Sequence, residues 1–234
     1  MLFGLDDLFI DTIAWLKGLF PRPLTREILE KANSLPEKKI AIMVAAWHED
    51  DVITSMIRGN SRQLLYTNYD FYIGVYPNDQ KTLIKAKRIA QEFPHVHVVV
   101  NSKSGPTSKG QMLNEIVQHL ETIPVECKPQ LYLIHDAEDV IHPLSLKIIN
   151  WRSRVSDLIQ IPVFSLQTSQ REMVASLYAD EFAESHTKDI LVRQHLGAPI
   201  PSAGVWTALT RNYVKAMKKK KGVLFNSSTE TEDY

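Results

Sequence analysis

Four short apolar runs recur along the chain, each followed by a stretch of helical spacing, and this alternation constrains the fold more than any other feature. The runs are KIAIMVAAW (39–47), DFYIGVYP (70–77), HVHVVV (95–100) and QLYLIHD (130–136). Each is of strand length and nearly unbroken in its apolar character, which marks a strand buried on both faces. The intervening stretches, 50–66, 80–92 and 108–122, carry apolar residues at helical spacing. Each is long enough to return the chain over a sheet, so that the next strand runs parallel to the last. The expected fold is therefore α/β: a Rossmann-like, mostly parallel, twisted sheet with helices on both faces and ligands at the carboxyl ends of its strands.

Beyond Pro143 the pattern predicts a helix over LSLKIINWRSRV and an edge or bulged strand over IQIPVFSLQ, whose internal proline cannot donate to a ladder. A long helix ending at Gly197 and a strand over GVWTALTR follow. At the other end, Leu2, Leu5, Phe9, Ile13, Leu16 and Phe20 fall at helical spacing before PRP stops the pattern. This is an amphipathic helix, to be docked on the protein's own core or laid against a membrane surface or membrane segments. The expected division is 1–36 as that helix and a linker, and 37–234 as the main domain.

Lys+Arg and Asp+Glu are both 27, so the net charge is zero and the bulk balance excludes no partner except a generic polyanion such as nucleic acid. The single Cys127 has no partner for an intramolecular disulfide and reads as a buried free thiol. The lysine run 218–221 reads as solvated surface, with a face toward anionic lipid as the alternative. No run of eighteen apolar residues is present. The sequence stops at SSTETEDY with no closing helix or strand behind it, the pattern expected of a cut end.

In an open parallel sheet the strand ends share one rim, and here they supply WHEDD (47–51), PND (77–79), NSKSGPTSKG (101–110) and HDAED (135–139). Asp136 and Glu138 are separated by one residue, so in extended chain both carboxylates project to the same side. Two acids so close raise each other's pKa unless a cation neutralises them, and an all-oxygen set of this kind suits Mg²⁺ or Mn²⁺ better than zinc. The segment SKSGPTSKGQ does not match the P-loop order, which excludes a P-loop nucleotide site. Lys109 and Gly110 nevertheless stand at a predicted helix start, where backbone N–H groups and a lysine favour an anion.

Taken as an ordered set, these segments resemble the family-2 glycosyltransferases of GT-A fold, in the membrane-bound branch that includes cellulose and hyaluronan synthases. VAAWHED matches the family's first strand end through Glu49, and VYPND its second through Asp79, both on the nucleotide. SKGQMLN places Lys109 near the diphosphate and Asn114 in the supporting helix; DAED stands for the D-x-D motif, with Asp136 and Glu138 on the metal and Asp136 near the nucleotide. IPSAGVWTALTR is similar to the segment that lines the acceptor and donor sugar, through Gly204. TED at 231–233 resembles the general-base motif, with Asp233 as base and Glu232 beside it.

The resemblance implies a Mn²⁺- or Mg²⁺-dependent, inverting transfer from a UDP-sugar to a saccharide or lipid-linked acceptor in cell-envelope polysaccharide synthesis. It also implies a full-length protein at the cytoplasmic face of a bacterial inner membrane, held by transmembrane segments and followed by a Q/R-x-x-R-W motif. Neither the segments nor the motif occurs in these residues. A second reading is a catalytically incomplete nucleotide-binding or regulatory module of a membrane assembly. A third, a nucleotidyltransferase, lacks the Gly-rich first loop after Trp47 that such enzymes use.

Overall fold

The computed structural model describes residues 3–21, 23–163, 183–200, 202 and 204–226. The chain forms two compact units, residues 1–25 with 162–203, and residues 26–161 with 204–234. Within the expected linker a helix, Arg26–Ser34, packs against the Ser145–Arg152 helix of the sheet-bearing unit.

The larger unit is built on strands β1 (Ile40–Ala45), β2 (Tyr69–Val75), β3 (Val96–Val100), β4 (Leu131–His135), β5 (Leu158–Gln160) and β6 (Thr207–Thr210), in the order β3-β2-β1-β4-β6-β5. The first four pair in parallel; β6 runs antiparallel to β4 and to β5. All five residues of β4 and the first five of β1 are buried, as continuous apolar runs require when both faces are covered. Helices α1 (Phe3–Lys17) and α2 (Arg26–Ser34) precede the sheet, and α3 (Ile53–Gln63), α4 (Gln80–Glu92), α5 (Lys109–Thr122) and α6 (Ser145–Arg152) follow successive strands.

The strand period of two sorts β1 cleanly. Ala41 and Met43 join Tyr72, Tyr132 and Ile134 in a cluster with Leu113, Ile116, Val117 and Leu120 of α5. Val214 of α8 (Arg211–Lys221) completes that layer. At Gly74, β2 comes so close to α5 that an added Cβ would lie 2.4 Å from Met112 Sδ. A burial of this extent, at about 25 cal/mol per Å² of apolar surface, is the main force holding α5 on the sheet.

Among the described residues, the expected strand over IQIPVFSLQ is represented by β5, and residues 164–167 of it lie outside the described residues. Ile161 N donates to Trp206 O at 3.0 Å, and Pro162, next along, has no N–H to donate to a ladder. Cys127 lies exposed in a short 3₁₀ turn, Val125–Cys127, and not in the core where it was expected. The turn follows Pro124 and is too short to fold its thiol inward.

In the smaller unit, α1 ends at Gly18, whose φ is +60°. Leu5, Leu8, Phe9, Trp15, Leu16 and Phe20 are exposed, and Ala14 is buried. Leu5, Phe9, Leu16 and Phe20 of the expected stripe are thus exposed, while Ala14 is the residue of α1 that is buried among those described. Lys188, in a π-helical turn (Ser185–Asp189) leading into α7 (Ile190–His195), pairs with both Asp11 and Glu184. No helix among the described residues is long and apolar enough to cross a membrane.

Candidate active site

The carboxyl ends of β1, β2 and β4 converge with the start of α5, as the sequence pattern requires. After β4 the chain turns at Ala137 and Glu138, with Asp139 N donating to Asp136 O at 3.5 Å; Asp136 is partly exposed, Ala137 buried and Glu138 exposed, in a turn and not in the extended chain from which a shared side was expected. Lys109, the first residue of α5, follows Ser108, whose hydroxyl caps the helix by accepting from Gln111 N at 3.2 Å. Its Nζ lies 2.7 Å from Asp136 Oδ1 and donates to Gly204 O at 2.7 Å. One lysine therefore joins the β4 acid to the segment that enters β6.

The remaining charge around this pair is negative. Glu49, half-buried after β1, has its pKa raised by burial first and then by the charges of Glu138, Asp136 and Asp79. Asp139 is pushed up to about 6 by burial and by the Asp136 and Glu138 charges. Of these acids, Asp136 is the one that pairs with Lys109. Asp136 and Glu138 are the residues here that could offer oxygen ligands to a hard divalent cation, and the Asp136 carboxylate already meets the positive charge of Lys109 Nζ. No group of three acids, histidines or cysteines among the described residues converges to hold a cation alone. The rest of a coordination shell would have to come from a ligand and water.

Asp79 is differently placed from the expectation. Only 3% exposed, it accepts from His48 N at 2.7 Å and caps α4 by accepting from Thr82 N at 3.3 Å. Burial opposes its charge, but the hydrogen bonds from Thr82 and His48 outweigh that and hold the carboxyl below its ordinary range. The residue shapes the turn that carries Glu49, with His48 in the left-handed region at φ +59°, and offers a ligand no open face. Glu49 N is in turn held by Thr82 Oγ1 at 3.1 Å.

Several positioning residues carry no signal in a sequence pattern. Asn78 grips Gly105 from both sides, donating Nδ2 to its carbonyl at 2.8 Å and accepting its N–H at 2.7 Å. Gly105 sits on the edge-packed pair Trp47 and Tyr76, whose ring centroids are 5.0 Å apart, and Tyr76 Oη bonds Thr107 Oγ1 at 2.7 Å. The loop that delivers Lys109 is thereby tied to the end of β2. On the other side of the acids, Asn60 donates to Asp139 O at 3.0 Å and accepts from Ile141 N at 2.8 Å.

His135, the last residue of β4, is fully buried, and burial lowers its pKa to about 4 against the opposing pull of Asp136. The neutral ring lies with Nδ1 2.6 Å from Asp136 O and packs edge-on to Trp206 at 5.0 Å. Asn114, expected in the supporting helix, ties α5 to the chain after α8: it accepts from Leu224 N and Phe225 N and donates to Phe225 O. Glu232 and Asp233 lie outside the described residues.

Known proteins share this architecture and sequence. The family described as Glycosyltransferase like family 2 matches residues 36–234. Bacteriophage adsorption protein B of Escherichia coli K12 is 37% identical over 243 aligned positions covering 99% of this chain, and so is bacteriophage N4 adsorption protein B of E. coli O157:H7. The chain spans 32% of the length of these relatives. Among solved structures, the mannosyltransferase PcManGT of Pyrobaculum calidifontis, in complex with GDP-Man and Mn²⁺, superposes with a TM-score of 0.54 at 15% identity, covering 88% of this chain and 55% of that one. TarS 1–349 of S. aureus gives a TM-score of 0.51 at 12% identity, covering 83% and 52%. The family match over residues 36–234, on a sheet of the GT-A kind, places the chain in glycosyltransferase family 2.

Proposed function

We propose that the chain is the glycosyltransferase domain of an enzyme that moves a sugar from a UDP-sugar to a saccharide or lipid-linked acceptor, with inversion at the anomeric carbon. The observation that carries this reading is the contact of Lys109 with both Asp136 and Gly204 beside Glu49, whose pKa is raised by burial and then by the charges of Glu138 and Asp136. Lys109 stands where negative charge develops on the departing diphosphate, and such preorganised contacts supply on the order of several kcal/mol of barrier lowering. Asp136 and Glu138 would hold Mn²⁺ or Mg²⁺, which when bound supplies charge neutralisation on the diphosphate. The Mn²⁺ in the PcManGT complex supports a divalent ion at this kind of site; the nucleotide there is GDP.

Asp233 takes the proton of the acceptor hydroxyl as that oxygen bonds to the anomeric carbon. The bond from that carbon to the phosphate oxygen breaks, and its electron pair leaves with UDP. A single displacement from the opposite face inverts the configuration. We place the full-length protein at the bacterial inner membrane, a reading for which the likeness to proteins named for bacteriophage adsorption offers support only as regards the cell envelope.

Calorimetric titration of the chain with UDP and GDP, with and without Mn²⁺, tests the donor site, and donor hydrolysis tests turnover. The expected result is Mn²⁺-dependent UDP binding that is tighter than GDP binding and lost in Asp136→Ala, with turnover lost in Asp233→Asn while binding persists. Absence of any Mn²⁺-dependent nucleotide binding refutes the assignment. Binding without turnover in the full-length protein would favour the regulatory module.

A further inference from the structure

A closed circuit of contacts runs through the site. Asp136 Oδ1 meets Lys109 Nζ at 2.7 Å, and Lys109 Nζ donates to Gly204 O at 2.7 Å. Two residues on, Trp206 donates its N–H to Ile134 O at 2.8 Å, accepts from Ile161 N at 3.0 Å, and sets its ring edge-on to His135. His135 Nδ1, 2.6 Å from Asp136 O, closes the loop on the residue where it began.

Two features of this circuit are costly to the fold. Trp206 holds φ +59°, a conformation disfavoured for a bulky L residue. His135 is 0% exposed, and its Nε2 has no hydrogen-bond partner among the described residues. An aliphatic side chain, like those of Leu131 and Leu133 in the same strand, would avoid that orphaned nitrogen. Both costs fall on residues in contact with each other, at the junction of the acid turn and the Gly204 segment. Strain and unsatisfied polar groups concentrated at one point are the marks of a constraint imposed by function.

We infer that His135 and Trp206 are positioning residues: the imidazole N–H fixes the Asp136 peptide, and the indole fixes the imidazole plane, so the acid turn and the Gly204 segment are held as one rigid unit. This rests on the glycosyltransferase reading of the site, in which Asp136 serves the donor diphosphate and Gly204 the sugar. A placement error of about an ångström at such a unit is enough to cost a large factor in binding or rate.

The test compares His135→Leu, which removes the N–H donor and the orphaned nitrogen, with His135→Asn, which keeps a donor near the Nδ1 position and loses the ring. Free Mn²⁺ is followed by EPR during titration with UDP and with GDP, and melting temperature is recorded for each variant. The expected result is a crossing. His135→Leu melts at or above the temperature of His135→Asn, yet its Mn²⁺-dependent UDP binding is weaker than that of the unmodified chain by ten-fold or more, whereas His135→Asn recovers most of the affinity. A role in stability alone would order both readouts the same way.

Wild-type affinity in His135→Leu overturns the inference and leaves the donor-site reading standing. Absence of Mn²⁺-dependent UDP or GDP binding in the unmodified chain overturns both. If His135→Leu shows no cooperative melt, Trp206→Phe decides: a ten-fold loss of Mn²⁺-dependent binding supports the circuit, and unchanged binding overturns it.

Discussion

Gly105→Ala should damage the site from a position that touches no proposed ligand. An added Cβ would lie 2.5 Å from Trp47 Cζ3, 2.7 Å from Trp47 Cε3 and 2.7 Å from Tyr76 Cδ1, where ordinary contact begins at 3.4 Å. The overlap is thus 0.7–0.9 Å against three ring atoms. Tyr76 is 2% exposed and tethered through its hydroxyl to Thr107, so it has little room to retreat. The loop must lift instead, which strains the two hydrogen bonds from Asn78.

Overpacking of this size costs about 1–3 kcal/mol, and each kcal/mol lowers Tm by roughly 2–4 °C in a domain of this length. Scanning calorimetry should therefore show a fall of about 2–12 °C. Because the same loop ends on Ser108 and Lys109, the donor kcat/KM should drop about 10- to 100-fold, the effect of misplacing a charge-stabilising group. Asn78→Ala, which removes the latch without the clash, should move both quantities in the same direction by less. An alanine variant that melts within a degree of the parent and keeps its donor kcat/KM would refute the argument that this loop is held rigid to place Lys109.

Asn60→Ala should cost about 2–3 kcal/mol by urea denaturation, because it strands the buried Ile141 N–H and frees the Asp139 carbonyl; no loss would mean the acid turn is held from elsewhere. Gly110→Ala would place a Cβ 2.6 Å from Asn226 O, so it should displace the chain leading to Asp233 and depress turnover more than UDP binding, as separate kcat and calorimetric measurements would show. Glu37 is opposed by burial, but hydrogen bonds from Lys147, Thr67 and Asn68 hold it at about 2, against an ordinary 4.5. The folded state then binds fewer protons than the unfolded chain, so this stabilisation, on the order of 2–3 kcal/mol, is present above pH 4.5 and disappears as pH falls toward 2. Urea midpoints measured down that range should lose this slope in Glu37→Gln.

The strand-helix alternation and the rim of acids were legible because both follow from local periodicity. A nearly unbroken apolar run such as IAIMVA has to be covered on both faces, and helices of eleven to fourteen residues between such runs allow parallel return. The closeness of Asp136 and Glu138 was visible in the same way, but the period of two that would set both on one side applies to extended chain, and the structure has them in a turn. The acidic residue Asp79 shows the limit of such reasoning. Its position at a strand end was visible, and its cap to Thr82 is local, but its engagement by His48 depends on a backbone turn 31 residues away.

What the chain's own order of residues determined is therefore the layered sheet, the face each strand residue takes and the end of the sheet where acids and lysine gather, since these depend on spacing within one element. Only the tertiary structure decided which of those groups meet. The antiparallel return of β6 brings Gly204 onto Lys109 across 95 positions and sets Trp206 against His135, while Asn78 reaches Gly105 across 27. Contacts between such distant residues leave no period in a sequence, because they arise from how whole elements pack, and it is packing that turns a collection of acids into a site.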